Sequence, residues 1–191
     1  MDLAVRILPV SPKDIERIKE VDCSQKVKAV YRAQSTSNGL GLVLKRLAQN
    51  PPIEIPAWGK LGIRYRIERW RPQLEKGGLM MGAFDGERLV GFAVLGPTYK
   101  DGSAEMAALF IHADYRGSGI GASLMSEIES VSEARGVKVL YVHSKPTGAS
   151  VEFLIRHGFQ VIGLLDKTKV VHLPWDIVFL KDMGKASKKG R

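Results

Sequence analysis

The sequence predicts an α+β domain: a mixed, mostly antiparallel sheet flanked by helices. Two apolar runs, 79–84 and 89–95, surround an Asp85-Gly86 turn signal and predict a β-hairpin. Further on, the apolar run 106–111 leads through a glycine-rich loop into helical spacing, and the apolar run 137–142 follows. That strand, helix, strand order indicates one parallel crossover beside the antiparallel hairpin.

The first part of the chain begins with a strand over 5–10. Ser11 and Pro12 then form a helix start, with a cap residue followed by proline at the first helical position. A second apolar set, at Val27, Val30 and Tyr31, has helical spacing and predicts another helix.

Segment 34–61 has little periodicity and contains two proline breaks, which exclude a long helix. We therefore expect an insertion or loop with at most a short strand or helical turn. Helical spacing returns over 64–75 and ends at Gly77 and Gly78.

The C-terminal part continues the alternation of helices and strands. The helix after the glycine-rich loop should end at Gly136, and a second helix, capped by Thr147 or Ser150, should end at Gly158. Strands over 159–165 and 177–180 complete one domain spanning 1–183, and the basic segment 184–191 is expected to be a disordered tail.

Composition limits the function classes. The net charge is +9, and the first 78 residues carry 15 Lys and Arg against 8 Asp and Glu. This basic half favours acidic partners, such as nucleic acid or cofactor phosphates, or serves as a solubilising surface. Cys23 is the only cysteine, so no internal disulfide is possible and a cytoplasmic location is expected. We expect no membrane segment, and the four histidines lack the spacing of a metal site.

The glycine-rich loop is the strongest local signal. Gly117, Gly119 and Gly121 leave backbone N–H groups uncovered at a helix start, which is typical of an anion or phosphate site. The same glycines fit a plain turn between strand and helix. A dinucleotide fingerprint would require an acidic residue after the next strand, where Ser144 stands, and no Gly-Lys-Ser/Thr sequence supports a P-loop.

The run Arg116-Gly117-Ser118-Gly119-Ile120-Gly121 resembles the Arg/Gln-x-x-Gly-x-Gly/Ala signature of the GNAT (GCN5-related) N-acetyltransferases. The resemblance implies a GNAT-like sheet with a splayed cofactor cleft, and acetyl-CoA as co-substrate without a metal. It places the pyrophosphate on the backbone of 116–122 and the thioester carbonyl near backbone N–H groups of the preceding strand. The implied cofactor-binding residues are Phe110, Ile111, Arg116, Gly117, Ser118, Gly119, Ile120, Gly121 and Ala122.

The resemblance also implies candidates for proton transfer. Glu105 lies 11 residues before Arg116, the spacing of the catalytic glutamate in histone-type members, and strand alternation would place it on the face of Leu109 and Ile111. A solvated charge is the alternative for Glu105, and His112 and Tyr115 are other candidates for the base.

At the position expected to protonate the leaving thiolate, the sequence differs from the family pattern. Leu154 stands where many members have a tyrosine, which leaves Ser150, Tyr141 or water for this role.

The predicted function is N-acetyl transfer to a primary amine of a small molecule or peptide, in a possible homodimer. The alternatives are a non-catalytic acyl-CoA sensor and a basic nucleic-acid-binding module, although nucleic acid is the less favoured partner. We expect the acceptor pocket beneath 34–61 together with the helical lobe around Trp70, with Trp58 as a wall. The charges of Lys45, Arg46, Lys60 and Arg64 around this pocket would favour an acceptor that carries a carboxylate.

Overall fold

The computed structural model describes residues 5–37, 41–58, 62–166 and 175–184. Seven strands form one sheet in the order β1-β4-β5-β6-β7-β9-β8, and β2 and β3 pair separately as a two-stranded ribbon. Among the strands of these described ranges, only β6 and β7 run parallel, and the other pairs are antiparallel. The predicted mixed sheet is therefore confirmed. In chain order the elements are β1 (Arg6–Val10), a 3-10 helix (Pro12–Glu20), β2 (Gln25–Ser35), β3 (Leu42–Ile55), α1 (Gly62–Glu75), β4 (Leu79–Asp85), β5 (Arg88–Leu95), β6 (Ser103–Ile111), a short 3-10 turn (Ala113–Tyr115), α2 (Ile120–Ala134), β7 (Val139–Ser144), α3 (Gly148–Arg156), β8 (Gln160–Asp166) and β9 (Trp175–Asp182).

Helices cover both faces of the main sheet. On one face, α1 and the first 3-10 helix bury Ile15, Trp70 and Leu74 against Phe92 of β5. On the other face, α2 and α3 form a larger core, with members that include Leu124, Ile128, Leu154 and Phe179. Burial of a large apolar side chain stabilises a fold by about 1.5–3 kcal/mol, so these two cores fix the helices to the sheet. Helix α1 and helix α2 therefore lie on opposite faces of the sheet.

The region predicted as a second helix is strand β2. Its buried residues are Val27, Ala29 and Val30, and the pairing with β3 shifts register between Val27 and Ala29. At this irregularity one residue of β2, Lys28, lies opposite four residues of β3, Gln49 to Pro52, so the additional residues belong to β3. Val27 and Val30, three residues apart, pack in one small cluster on the ribbon. The sequence spacing therefore imitated that of a helix.

Segment 34–61 was predicted to lack a long strand, and this was wrong, because β3 occupies 14 of its residues. The pairing jumps from Ala48, opposite Ala29, to Ile53, opposite Val27, so both prolines lie between the paired positions. Since β3 pairs with β2 alone in this ribbon, prolines without N–H groups are tolerated there. Ile53 and Ile55 are part of the ribbon's own small apolar cluster.

The ribbon lies beside α3. The Tyr31 N–H group donates to the Pro146 carbonyl at 2.7 Å, and Arg46 Nε donates to Glu152 Oε1 at 2.9 Å. These two hydrogen bonds attach the ribbon to α3 and to the loop before it.

The other predicted elements agree with the structure within a few residues. Helix α1 ends at Glu75, the hairpin turns at Gly86 with a φ of 59°, and Thr147 caps α3 by accepting from the Ser150 N–H group. Most of the predicted tail, from 185 onward, lies outside the described residues. No helix within the described ranges has the length and apolar character needed to cross a membrane.

Candidate active site

The site begins where β6 and β7 separate. Their parallel pairing covers Ser103 to Glu105 against Val139 to Tyr141 and extends no further among the described residues. Beyond this point a cavity of about 860 Å³ opens between the two strands, and its walls come from β6, β7, α3, the glycine-rich loop and the start of β2. This is the splayed cleft expected for the fold.

Strand β6 presents backbone donors to this cavity. The His112 N–H group donates to the Val90 carbonyl of β5 at 2.8 Å. Because N–H groups along an antiparallel strand point alternately to either side, those of Phe110 and Ala108 also point toward β5. The N–H groups of Leu109 and Ile111 therefore point away from β5, into the cavity.

A β-bulge in β6 changes which side chains share a face. Val94 pairs with Ala108 but Leu95 pairs with Met106, so Ala107 is an additional residue. Before the bulge, Glu105 faces α1, since Arg69 of that helix donates to its carboxylate. After the bulge, Leu109 and Ile111 pack with the α2 core. The prediction that Glu105 lies on the face of Leu109 and Ile111 was wrong, because alternation breaks at the bulge.

The glycine-rich loop forms the opposite end of the cavity. Gly117 and Gly119 have φ values of 81° and 89°, in the left-handed region, and Gly119 is the N-cap of α2 without a side-chain capping bond. The first N–H groups of α2 lack intrahelical acceptors and carry the positive end of the helix dipole. Gly117, Gly119, Ile120, Gly121 and Ala122 all line the cavity, so these donors lie at its wall.

Two side chains hold this loop in place. Arg116 donates to two backbone carbonyls, Ile111 at 3.2 Å through Nε and Ser24 at 2.7 Å through Nη1. Ser118 Oγ donates to the Tyr115 carbonyl at 2.6 Å. Within the described structure Ser118 is not among the cavity-lining residues, whereas Arg116 is. These contacts indicate a positioning role for both side chains.

Glu105 lies at the closed end of the cleft. Its side chain is 12% exposed and accepts from Arg69 Nη2 at 3.1 Å. It is adjacent to Tyr141 in the parallel register, and burial, with a further contribution from the Glu105 charge, raises the pKa of Tyr141 well above its usual value. The first β6 residue that lines the cavity is the next one, Met106. Glu105 is thus close to the cavity without being part of its wall.

His112 and Tyr115 are each engaged by another side chain. His112 is buried, and its Nε2 is 2.8 Å from Arg88 Nη2. Because a guanidinium only donates, that imidazole nitrogen must accept. The Tyr115 hydroxyl donates to Asp85 Oδ2 at 2.7 Å, and this hydrogen bond raises the pKa of the tyrosine. Of the two residues, Tyr115 lines the cavity.

The hydroxyl candidates for protonating the thiolate are placed differently. Ser150 lines the cavity together with Leu154, and it accepts a hydrogen bond from Thr147 Oγ1 at 2.9 Å. Tyr141 is not among the lining residues of the described structure. Ser150 is therefore the hydroxyl of this pair that the cavity exposes.

Several lining residues were not predicted from the sequence, notably Lys26 of β2, Arg66 of α1, and His143 and Lys145 near the end of β7. His143 also contacts the Tyr141 ring, with centroids 6.0 Å apart. The one available signal was on α1, where Arg66 lies next to the buried stripe of Ile67, Trp70 and Leu74. Helical spacing places Arg66 at the edge of that stripe, but it does not show that a cavity lies there.

Trp58 does not have the predicted position at a pocket wall. Its ring packs against Phe92 and Phe110, with centroid distances of 6.1 and 5.7 Å, and its backbone N–H group donates to Cys23 Sγ at 3.1 Å. Within the described residues, the cavity lining includes Cys23 and Phe110 but not Trp58. The tryptophan thus supports the residues that form the wall.

Comparison with known proteins relates this geometry to a family. Residues 46–159 match the model of the acetyltransferase (GNAT) family. A stretch of 100 residues is 31% identical to an amino-acid acetyltransferase of Shewanella oneidensis, and this match covers 52% of the chain but only 22% of that longer protein.

Solved structures share the fold over almost the whole chain. A nourseothricin acetyltransferase superposes with a TM-score of 0.76 at 19% identity, covering 94% of this chain and 99% of that one. The same coverages hold for a protein of Bacillus anthracis strain Ames in complex with acetyl coenzyme A, with a TM-score of 0.72 and 16% identity. They hold as well for the PaiA N-acetyltransferase of Thermoplasma acidophilum in complex with coenzyme A, with a TM-score of 0.59 and 19% identity. With a family model matched over more than half of its length, this chain belongs to the GNAT acetyltransferase family.

Proposed function

We propose that this protein transfers the acetyl group of acetyl-CoA to the nitrogen of a primary amine. The observation that carries the proposal is the cavity between β6 and β7, which has a helix N-terminus without a side-chain cap at one end and strand N–H groups directed away from β5 along one wall. These are the two kinds of donor that a pyrophosphate and a thioester carbonyl require.

The residues present fit a coenzyme A phosphate group. A Cβ added at Gly117 or Gly119 would meet no atom within 4 Å, so the space beside the loop is open. The donors there are backbone N–H groups, which need no side chain and cannot rotate away. Arg116 holds their arrangement through its two bonds to carbonyls. The loop is therefore preorganised for an anion before any ligand binds.

The reaction requires one bond to form and one to break. The amine nitrogen attacks the carbonyl carbon of the thioester, the C–N bond forms, the C–S bond breaks, and coenzyme A leaves as the thiolate. The nitrogen loses a proton to a base, and the thiolate gains one from a donor or from water. Backbone N–H groups of Leu109 and Ile111 are placed to stabilise negative charge on the carbonyl oxygen.

We assign the base to Glu105, which acts directly or through one water. It is on the α1 face at the closed end of the cleft, with Oε1 held by Arg69. His143, which lines the cavity and lies on the same strand as Tyr141, is the competing candidate. His143 belongs to the cavity wall, whereas Glu105 lies next to it, so the two residues must be compared directly by mutation.

The alternatives are an acyl-CoA sensor and a basic nucleic-acid-binding module. Both would keep the glycine-rich loop without transferring an acetyl group. The test is to incubate the full chain with acetyl-CoA and a panel of primary amines while measuring free thiol and the acetylated product. Amine-dependent thiol release is expected. Thiol release that does not depend on an amine, or coenzyme A binding without any product, would refute the transferase proposal.

The names of the relatives do not determine the acceptor. One is an amino-acid acetyltransferase and another is a nourseothricin acetyltransferase, so the names point to two different acceptors. The acceptor class must therefore be argued from the cavity itself.

A further inference from the structure

The geometry points to Arg66 as the binding residue for a carboxylate on the acceptor, so that the substrate class is amines that also carry a carboxylate. This inference rests on the proposed acetyl transfer and specifies its acceptor. It begins with the charge of the cavity wall. The lining contains five cationic side chains, those of Lys26, Arg66, Arg116, Lys145 and Arg156, and one carboxylate, that of Glu152.

Most of these charges already have partners. Lys145 Nζ is 2.7 Å from Asp176 Oδ1, and Glu152 is paired with Arg46. Lys26 pairs with Glu54 at 3.3 Å on the exposed ribbon. Two of the charges that the sequence suggested for this role are used elsewhere, since Arg46 binds Glu152 and Arg64 binds Glu68. Lys60 lies outside the described residues.

Arg66 differs from the paired cations. Its Nε is buried and has no hydrogen-bond partner within the described residues. Its guanidinium carbon lies 5.9 Å from the centroid of the Tyr65 ring. Burial, together with the charge of Arg69, lowers the pKa of the Arg66 guanidinium, so the site disfavours its positive charge in the absence of an anion. A carboxylate would supply both the missing acceptor and the missing charge.

The position of Arg66 separates it from the phosphate end of the cavity. The loop that would hold the phosphates is at the start of α2, and α2 packs on one face of the sheet. Arg66 belongs to α1, which packs on the other face, one turn before the Arg69 that binds Glu105. An acceptor bound at Arg66 would therefore approach from the face that carries the proposed base.

The chemistry of arginine specifies the group. Nε–H and one Nη–H form a planar fork that matches the two oxygens of a carboxylate, and such charge-assisted pairs are stronger than neutral hydrogen bonds. A polyamine would bring further positive charge to a wall that is already cationic. The acceptor should therefore be an amino acid or a related amine with a free carboxylate.

The test compares each of several amino acids with its own carboxamide as acceptor for the full chain. The carboxamide keeps the amine and the side chain but removes the negative charge. We expect a value of kcat/KM at least tenfold higher for the acid, calculated for the unprotonated amine in each case. Arg66→Met should lower kcat/KM for the acid by about 10-fold to 100-fold, the range for a charge-assisted hydrogen bond, and leave the carboxamide nearly unchanged. Arg66→Lys should restore part of the loss.

Arg64→Met is the matched control. Arg64 is on the same helix, its side chain is 90% exposed, and it is paired with Glu68, so its removal takes away one charge without reaching the cavity. Its kinetics should equal those of the wild type. Unchanged coenzyme A affinity and circular dichroism would show that Arg66→Met is folded.

The outcomes separate the two proposals. Transfer to acids and carboxamides at equal efficiency, or an equal loss for both in Arg66→Met, would overturn the carboxylate site while leaving the transferase. If no amine is acetylated, calorimetric titration of the amino acids into the protein with coenzyme A decides the issue. Binding that Arg66→Met abolishes would support the site and reject the transferase, and absence of binding would reject both.

Discussion

Alanine substitutions at Gly119, Gly121 and Gly136 allow binding at the phosphate site to be tested separately from the stability of the fold. Gly119 and Gly136 both have φ in the left-handed region, at 89° and 68°, and an added Cβ would meet no atom within 4 Å at either one. Alanine should therefore cost about 1 kcal/mol of stability at each position, because only the backbone strain differs from glycine. For a domain of this size that corresponds to a decrease in Tm of about 2–4 °C.

Gly121 is the informative contrast. It is the second residue of α2, and an added Cβ would lie 3.4 Å from Phe153 Cε2 and 3.8 Å from Ile111 Cγ1, two residues of the cavity wall. Alanine inside a helix is favoured over glycine by about 0.5–1 kcal/mol, so Gly121→Ala should keep or raise the Tm. The same methyl group would occupy the space that phosphates need beside the N–H groups of the first turn.

The assay is calorimetric titration with coenzyme A, together with thermal denaturation. Gly119→Ala and Gly121→Ala should both weaken binding at least tenfold, about 1.4 kcal/mol, although only Gly119→Ala should lower the Tm. Gly136 follows the C-terminal end of α2, far along the chain from the loop, so Gly136→Ala should bind coenzyme A like the wild type despite its lower Tm. Wild-type affinity in Gly121→Ala would refute the placement of the phosphates. Weakened binding in Gly136→Ala would show that affinity follows stability instead.

Two further predictions concern proton transfer and pH. Glu105→Gln should lower turnover about 100-fold or more without changing the affinity for acetyl-CoA, because it removes a general base and keeps the shape of the side chain. Full activity in this variant, together with loss of activity in His143→Gln, would identify His143 as the base instead. Glu20 accepts hydrogen bonds from Arg17 and from the Leu89 N–H group, and these contacts lower the pKa of its carboxyl group. The ionised carboxylate therefore stabilises the fold fully above the unfolded pKa of about 4.3. This stabilisation is lost as the pH falls through the lower pKa of the folded state. The Tm measured from pH 7 to pH 3 should therefore fall less steeply for Glu20→Gln than for the wild type. An equal fall in Tm for both proteins would contradict this stabilising role of Glu20.

The elements that the sequence predicted correctly have local signals. The hairpin at Asp85-Gly86, the glycine-rich start of α2 and the Thr147 cap of α3 each depend on contacts between residues near in the chain. Strands β2 and β3 depend instead on each other across a separate ribbon. The register is irregular between the two strands, and the additional residues in β3 include both prolines, so neither strand shows the alternation that predicts a strand. Pairing between distant segments decided their structure.

The site shows the same division between local and distant effects. The loop backbone could be inferred from Gly117, Gly119 and Gly121, because an uncovered helix start is a property of the local sequence. The role of Arg66 could not be inferred, because the cavity that it lines is formed by strands 40 or more positions away in the sequence. Its missing hydrogen-bond partner became apparent only in the folded structure.

The bulge at Ala107 connects the two halves of the site. It lies two residues after Glu105, the last β6 residue that pairs with β7. A bulge bends its strand and increases the local twist, which accounts for the separation of β6 from β7 immediately beyond it. It also reverses the alternation of side chains, so Glu105 faces α1 while Leu109 and Ile111 pack with the α2 core. One additional residue thus opens the gap between the strands and leaves the proposed base on the face of Arg66, across the sheet from the helix whose N-terminus would hold the phosphates.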